Sequence, residues 1–282
     1  MDQQHKSTAE LDAIVPSVWS AAWYPTLFEN LIVAESVAMD YQGEIAALGD
    51  TVNISSFPQF PDAVDLGEGA RNDANAITVA NIPMVVNHEV VQDFIITRKA
   101  AKQSLEAQEK LREHAFFSIM KKMDQIILAD IVPSASAPDH TISFDSGTTL
   151  ALADILEGKE LLDTQNVPDN GQRVAILGVA QYNDLFNIAG FVSRDFSPNA
   201  NALSQGSITA PVLGFRVKFT TLIGDTAYLW DPVFMQMAVQ ESPVPEVFNL
   251  GVDGVRAFRV NQTVLFGNKQ ADTAGKRVVK VG

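Results

Sequence analysis

The sequence of 282 residues contains no cysteine, so neither disulfide bonds nor thiolate metal sites can hold its fold together. Charged residues make up only 19% of the chain and apolar residues 46%, which is typical of a folded protein and not of a disordered one. No apolar run approaches the roughly 20 residues of a transmembrane helix, so we expect no membrane contact. Residues 1–11 lack the apolar region of a signal peptide, so we expect no export.

Basic residues are scarce as well. The chain has 20 lysines and arginines against 34 acidic residues, which gives a formal net charge of −14. The imbalance is strongest in residues 1–98, which contain 14 acidic side chains and only 3 basic ones. A protein that binds nucleic acid needs a basic surface that displaces counterions from the phosphates. We therefore expect no sequence-specific binding of nucleic acid.

The usual motifs of catalysis and cofactor binding are also missing. His88-Glu89 begins like a zinc-protease motif but lacks the second histidine. Gly67-Glu68-Gly69 lacks the third glycine of a nucleotide-binding loop. Four nearby carboxylates miss the EF-hand spacing and more simply form a solvated loop or meet basic residues of a partner: Asp62, Asp65, Glu68 and Asp73. We predict no catalytic residue, no metal and no cofactor, and therefore not an enzyme.

The N-terminal segment is rich in aromatic side chains. Trp19, Trp23 and Phe28 recur near helical spacing, and Pro25 is a suitable first residue for a helix that runs to Met39. Two interpretations stay open at this point. The helix packs on the core of its own chain, or it is part of an arm whose anchors, Trp19 and Trp23, dock on a neighbouring subunit.

The next segment has the pattern of a long hairpin. Polar and apolar residues alternate from Thr51 to Ser55 and again from Ile82 to Ile96, which predicts two antiparallel strands on either side of a tip at Phe57–Ala76. The tip holds prolines, glycines and acids but almost nothing that forms a core. An isolated hairpin is marginal in water, so we expect this one to lie on another copy of the protein.

Several residues of these segments are predicted contacts between subunits. The apolar and acidic candidates in the tip are Phe57, Phe60 and Glu68. Arg71, among the acids of the tip, and Arg194, in a later polar loop, are candidate ion-pair partners, although exposed pairs contribute little.

The rest of the chain predicts a long helix followed by alternating helices and strands. No proline or glycine occurs from Arg98 to Val132, and Pro133 ends the helix. The pattern that follows consists of helices at 148–165 and 179–188, a turn at 167–171, an exposed loop at 193–207, and strands at 173–177, 215–223, 226–239, 255–266 and 277–281.

The order of these parts resembles the major capsid proteins of tailed bacteriophages with the Hong Kong 97 (HK97) fold. Two short runs carry the likeness: Gly49-Asp50-Thr51-Val52-Asn53-Ile54 at the start of the hairpin, and Val167-Pro168-Asp169-Asn170-Gly171-Gln172-Arg173 in the α/β part. The resemblance implies an α+β capsid fold. Its implied parts are an N-terminal arm (1–41), an extended E-loop hairpin (42–97), a P-domain spine helix with its loop (98–146), an A-domain (147–240) and P-domain return strands (241–282).

The resemblance also implies a function: a structural subunit that assembles as hexamers and pentamers into the icosahedral head around double-stranded DNA. The protein would then be part of the virion, assembled in the host bacterial cytoplasm, with scaffolding, portal and decoration proteins as further candidate partners. Some members of the family link subunits through an E-loop lysine, but no lysine lies between Lys6 and Lys99, so we expect a non-covalent shell. Two alternatives remain: an encapsulin-like shell that encloses cargo enzymes, and a soluble α/β binding protein or enzyme.

Overall fold

A computed structural model of the chain describes residues 32–45, 51–57, 60, 62–68, 71, 77–98, 105–188, 206–250 and 257–282. These residues form a mixed α+β fold with four helices and ten strands. The helices are α1 (Gln42–Ile45), α2 (Leu105–Ala129), α3 (Leu152–Thr164) and α4 (Val179–Asp184). The strands are β1 (Thr51–Ser56), β2 (Ala80–Val85), β3 (His88–Thr97), β4 (Thr141–Ile142), β5 (Val174–Leu177), β6 (Arg216–Phe219), β7 (Ala227–Trp230), β8 (Met235–Leu250), β9 (Ala257–Gln270) and β10 (Val278–Val281).

The long helix predicted from the sequence is present. Its 25 described helical residues span about 37 Å. Residues four apart on one side, Ala115, Ile119, Met123 and Ile127, are all buried, as expected for an amphipathic helix that covers a core. The helix ends at Ala129, four residues before Pro133, which cannot continue it.

Helix α2 contacts β3 and β9 of a three-stranded antiparallel sheet with the strand order β3-β9-β8. From Val260 to Phe266 of β9 every second side chain is buried. The structure differs here from the predicted hairpin. β1 pairs with β2, as expected, but β3 pairs along its whole length with β9. The chain leaves the hairpin after Val85 and enters a second sheet, where the apolar face of β3 gains the cover of α2.

A five-stranded sheet forms the α/β part, in the order β4-β10-β7-β5-β6. All four residues of β5, Val174–Leu177, are buried, as predicted for a strand with cover on both faces. The predicted strand 226–239 is divided in two, because Pro232 begins a 3-10 turn between β7 and β8. The predicted helices at 148–165 and 179–188 correspond to α3 and to α4 with the 3-10 turn that follows it.

One hydrophobic cluster joins the two larger sheets. Trp230 of β7 and Phe234 of the following turn are fully buried against Ile119 and Ile127 of α2 and against Phe266 of β9. The strands β4 and β10, which flank 147–240 in the sequence, pair within the five-stranded sheet. The predicted domain boundaries remain predictions, and one of the hydrophobic clusters spans α2 and both larger sheets.

The segment before α1 is not the predicted helix. Over the described residues up to Met39 it forms only a 3-10 turn, Ala34–Ser36. The backbone of this segment forms hydrogen bonds with the residues around β8. Ala38 N–H donates to the carbonyls of Pro232 and Met235, and Met237 N–H donates to the carbonyl of Ala38. The aromatic spacing in residues 19–28 predicted a helix that runs to Met39. The prediction is wrong for the described residues of this segment, because their backbone N–H groups donate to residues elsewhere in the chain. Residues 1–31 lie outside the described part of the chain.

Candidate assembly surface

The base of the hairpin is held by a small core of its own. Val52 and Ile54 of β1 lie opposite Met84 and Ile82 of β2, and all four pack with Ala238 of β8. This pairing places the apolar residues of both strands on one face, as the alternation in the sequence predicted. The core fixes where the hairpin leaves the body.

Gly267 of β9 allows the hairpin to approach the body closely. A Cβ atom at this position would lie 2.5 Å from the carbonyl oxygen of Val85 and 3.0 Å from Cα of Val86. Both obstacles are backbone atoms, which a rotamer change cannot move. Glycine is therefore needed here for the backbones to pass each other.

The tip of the hairpin is exposed throughout its described residues, which are 57, 60, 62–68, 71 and 77–79. The predicted contact residues Phe57, Phe60, Glu68 and Arg71 all lie in this part, and the two phenylalanine side chains are 72% and 66% exposed. Large aromatic side chains left in water on an extended loop are typical of an interaction site.

Three of the predicted contact residues lie outside the described residues: Trp19, Trp23 and Arg194. Their proposed role as inter-subunit contacts remains a prediction. The exposed loop predicted at 193–207 also lies outside the described residues up to residue 205.

A second exposed apolar surface lies at the far end of the three-stranded sheet, which the sequence analysis missed. Ile95 of β3 and Val244 of β8 are 65% and 64% exposed, and Phe248 of β8 is also exposed. Arg259 and Asp93 form an ion pair across neighbouring strands on this end. The sequence does contain an indication of this surface. β8 carries prolines at 243 and 245, and proline in a sheet is confined to edge strands.

A buried carboxylate on α2 holds the segment that leads to the N-terminus. Asp124 is 1% exposed and accepts hydrogen bonds from the backbone N–H groups of Ile32, Val33 and Ala34 at 3.1, 3.2 and 2.9 Å. Burial raises the pKa of Asp124 above its ordinary value, while the three N–H donors oppose the rise. An acidic residue within the apolar stripe of α2 was the sequence signal for this site.

The same segment is fastened at two further points. Trp230 Nε1–H donates to the carbonyl of Ser36 at 3.0 Å, and the Ser36 hydroxyl donates to the carbonyl of Ile32 at 2.6 Å. Lys218 of β6 forms an exposed ion pair with Glu35 at 3.4 Å. The segment therefore contacts the long helix and the five-stranded sheet together.

The turn after α3 is held by Arg173, whose side chain is buried. Its guanidinium donates to the carbonyls of Val167 and Pro168 and forms an ion pair with Asp163 at 2.7 Å. Gly171 has φ +72°, a conformation that favours glycine.

Lys159 extends this cluster. Its ammonium group lies 3.0 Å from carboxylate oxygens of both Asp163 and Asp169. Burial by itself would raise the pKa of Asp163, but Lys159 and Arg173 together bring it below its ordinary value. These charges hold a turn.

The described residues contain no group of three or more histidine and acidic side chains that could hold a metal ion. Within the same residues, no helix is long and apolar enough to cross a membrane. The chemistry on the surface is that of association, namely exposed aromatic and aliphatic side chains on an extended loop and on a sheet end. These features are typical of a protein that associates through its surface.

Comparisons with known proteins agree with this class. The family described as phage capsid protein matches residues 82–238, more than half of the chain, so the chain belongs to the phage capsid protein family. No curated protein matches the sequence.

Solved structures share the fold over nearly the whole length of the chain. A chain from Mycobacterium phage Che8 is 21% identical, with a TM-score of 0.73 over 95% of this chain and 97% of that one. A chain from the capsid of the cyanophage P-SCSP1u is 11% identical, with a TM-score of 0.74 over 98% and 94%. A chain from the mature capsid of bacteriophage PhiM1 is 10% identical, with a TM-score of 0.68 over 95% and 91%.

The protein is thus a structural capsid protein of a phage head and not an enzyme. The likeness to these chains supports the HK97-like fold predicted from the sequence. As a capsid component it belongs to the virion.

Proposed function

We propose that this chain is the subunit that forms the main shell, as hexamers and pentamers of itself, around double-stranded DNA. In this proposal residues 42–97 act as the E-loop, α2 is the spine of the P-domain, 147–240 gather around the symmetry axes, and residues 1–41 reach a neighbour. Assembly takes place in the cytoplasm of the host bacterium, and scaffolding, portal and decoration proteins are candidate partners.

The observation that carries the proposal is that every described tip residue is exposed. Burying a phenylalanine side chain contributes about 2–3 kcal/mol, and Phe57 and Phe60, which are 72% and 66% exposed, gain only a minor part of this within their own subunit. A neighbouring copy is the cover that is always available in a closed shell. The net charge of −14 supports the second part of the proposal, because an acidic wall does not bind the packaged genome.

Electron microscopy of the purified protein tests the proposal. We expect shells, tubes, or rings of five and six subunits. A uniform monomer that persists at high concentration would contradict it. Particles from infected cells should contain DNA, whereas particles filled with protein cargo would indicate a nanocompartment.

The role of the tip is tested separately. The double variant Phe57→Ser and Phe60→Ser should keep the melting temperature of the unassembled subunit and raise the concentration needed for assembly at least about tenfold, because central aromatic contacts each contribute more than about 1 kcal/mol. Val132→Ser is the matched control, since this side chain is 64% exposed but lies in the loop after α2, away from the tip. A double variant that assembles like the control would exclude the tip from the interface.

A further inference from the structure

The turn after α3 contains the pair Asn170-Gly171, and no other asparagine of the sequence is followed by glycine. This order of residues has a chemical meaning. The side-chain amide carbon of an asparagine is an electrophile, and the backbone nitrogen of the next residue is a nucleophile within its reach. Glycine has no Cβ and therefore shields that nitrogen least. The pair is thus the place in the chain where a reaction between the two groups is sterically easiest.

The surroundings of the pair are open. Asn170 is exposed and Gly171 is half-buried. Nothing lies within 4 Å of the position that a Cβ atom of Gly171 would occupy. Within the described part of the chain, the N–H of Gly171 donates to no acceptor. The nitrogen is therefore open to water and need not break a hydrogen bond in order to react.

The side chain of Asn170 is held in a suitable position. The backbone N–H of Gln172 donates to its Oδ1 at 3.0 Å, and its Nδ2 donates to Oε1 of Gln172 at 3.4 Å. The first bond closes a ring that contains both Cγ of Asn170 and the nitrogen of Gly171, so the side chain is folded over the peptide bond between them. The same N–H points at the oxygen on which negative charge develops when Cγ is attacked, as a donor of an oxyanion hole does. The turn thus brings the two groups together and stabilises the charge of the attack.

We propose that Asn170 is a site of self-modification, at which the chain converts its own asparagine into aspartate and isoaspartate. The Gly171 nitrogen loses its proton to hydroxide and attacks Cγ, which forms a C–N bond and a five-membered succinimide ring. The side-chain nitrogen takes up a proton and leaves as ammonia. Water then opens the ring at either carbonyl: cleavage of the new bond gives aspartate, and cleavage of the original peptide bond gives isoaspartate. The sum is one water consumed and one ammonia released, with no change of oxidation state.

Both products alter the turn. Each adds a negative charge next to Asp169, whose carboxylate already lies 3.0 Å from the ammonium group of Lys159. Isoaspartate also inserts a methylene group into the backbone before Gly171. The carbonyl of Gly171 accepts a hydrogen bond from Nε of Arg216 at 3.0 Å, and its φ is +72°. A longer link displaces this carbonyl, so we expect the isoaspartate form to lose the bond between the turn and β6.

The reaction is measured on the purified, unassembled subunit, so the inference does not rest on the proposed function. The protein is kept at neutral pH in water labelled with heavy oxygen and is then digested with trypsin in ordinary water. Peptide 160–173 contains Asn170 and also Asn166, an exposed asparagine that precedes the β-branched Val167 and is the internal control. Mass spectrometry counts the heavy oxygen taken up at each position, which excludes any reaction during digestion.

We expect Asn170 to react at least about tenfold faster than Asn166, a difference in barrier of about 1.4 kcal/mol. The rate should rise with pH, because the attacking nitrogen is the deprotonated one. Equal rates at the two positions, or no label at Asn170, would overturn the proposal. A synthetic peptide of residues 160–173 measures the contribution of the fold. The folded chain should react at least as fast as this peptide, and a reaction slower by about tenfold would mean that the turn protects Asn170.

The effect on the turn is tested by ageing the protein beside Asn170→Gln, whose longer side chain does not form the five-membered ring. After equal incubation, the unaltered protein should develop a second unfolding transition at lower temperature, whereas Asn170→Gln should keep its melting curve. Asn170→Asp carries the added charge without the added methylene, so fresh Asn170→Asp should melt between the two. Aged protein that contains isoaspartate yet melts like Asn170→Gln would overturn the proposed effect on the turn.

Discussion

Asp124→Ala is the most informative single change in the body of the subunit. It removes the one carboxylate that accepts the backbone N–H groups of Ile32, Val33 and Ala34. The bonds to Val33 and Ala34 are buried, whereas the bond to Ile32 is partly open to water. The variant therefore leaves two buried donors without a partner and a third that water can reach.

The expected cost follows from these three donors. A buried donor without an acceptor costs about 1–3 kcal/mol, and loss of the charged carboxylate offsets part of that by removing its own burial. We expect the free energy of unfolding to fall by about 3 kcal/mol, which corresponds to a decrease in Tm of roughly 6 °C for a chain of this size. The free energy of unfolding of Asp124→Asn should lie between the values of the unaltered protein and of Asp124→Ala. The carbonyl oxygen of asparagine still accepts a hydrogen bond, while its amide nitrogen faces a backbone donor.

Denaturant unfolding of the unassembled subunit, followed by circular dichroism, measures the global effect. Hydrogen exchange in a peptide covering 32–41 measures the local one and should be faster in the variant. Glu109→Ala is the matched control, since it removes an exposed acidic side chain from the same helix and should change stability by less than about 0.5 kcal/mol. If Asp124→Ala unfolds like this control and its exchange is unchanged, the carboxylate does not hold the segment.

Four other results are expected. Gly267→Ala should lower the free energy of unfolding by about 2 kcal/mol, since its Cβ meets the backbone of Val85; Gly224→Ala, which meets nothing within 4 Å, is the control, and equal melting curves would count against the close approach. Asp163→Asn should lower stability by about 1 kcal/mol at pH 7. Because the pKa of Asp163 is lowered in the folded state, its contribution is present above the ordinary aspartate pKa of about 4 and is lost as pH falls through the folded pKa, so urea titrations of the two proteins should converge in acid. Replacing Trp19 and Trp23 by serine should leave the melting temperature unchanged and block assembly; an unfolded variant would assign both side chains to the core of their own subunit. Mature particles should run as single chains on a denaturing gel, because no lysine lies between Lys6 and Lys99; a ladder of covalent oligomers would refute this.

The sequence was sufficient for elements whose pattern is local. The absence of proline and glycine before Pro133 predicted α2, and the apolar run at Val174–Leu177 predicted a buried strand. The alternation around Val52 and Met84 predicted the pairing of β1 with β2. In these cases the side-chain period alone decides the structure.

The sequence was insufficient where a residue far along the chain determines the local structure. The N-terminal end of β3 looks like a continuation of the hairpin, and only the partner β9, which follows more than 150 residues later, reveals the second sheet. The segment at Ala34–Ser36 has helical composition, but Asp124 binds its donors from 90 residues away. The contact between β3 and α2 arises from tertiary packing, so no window of the sequence could indicate it.

The continuous core around Trp230 and Phe234 has a mechanical consequence. Since α2 and both large sheets share one set of buried contacts, the body of the subunit resists internal bending. A shell whose identical copies occupy unequal surroundings must take up its differences in curvature elsewhere. Because the bodies are stiff, these differences fall on the contacts between copies, where exposed side chains of the hairpin tip such as Phe57 and Phe60 are available.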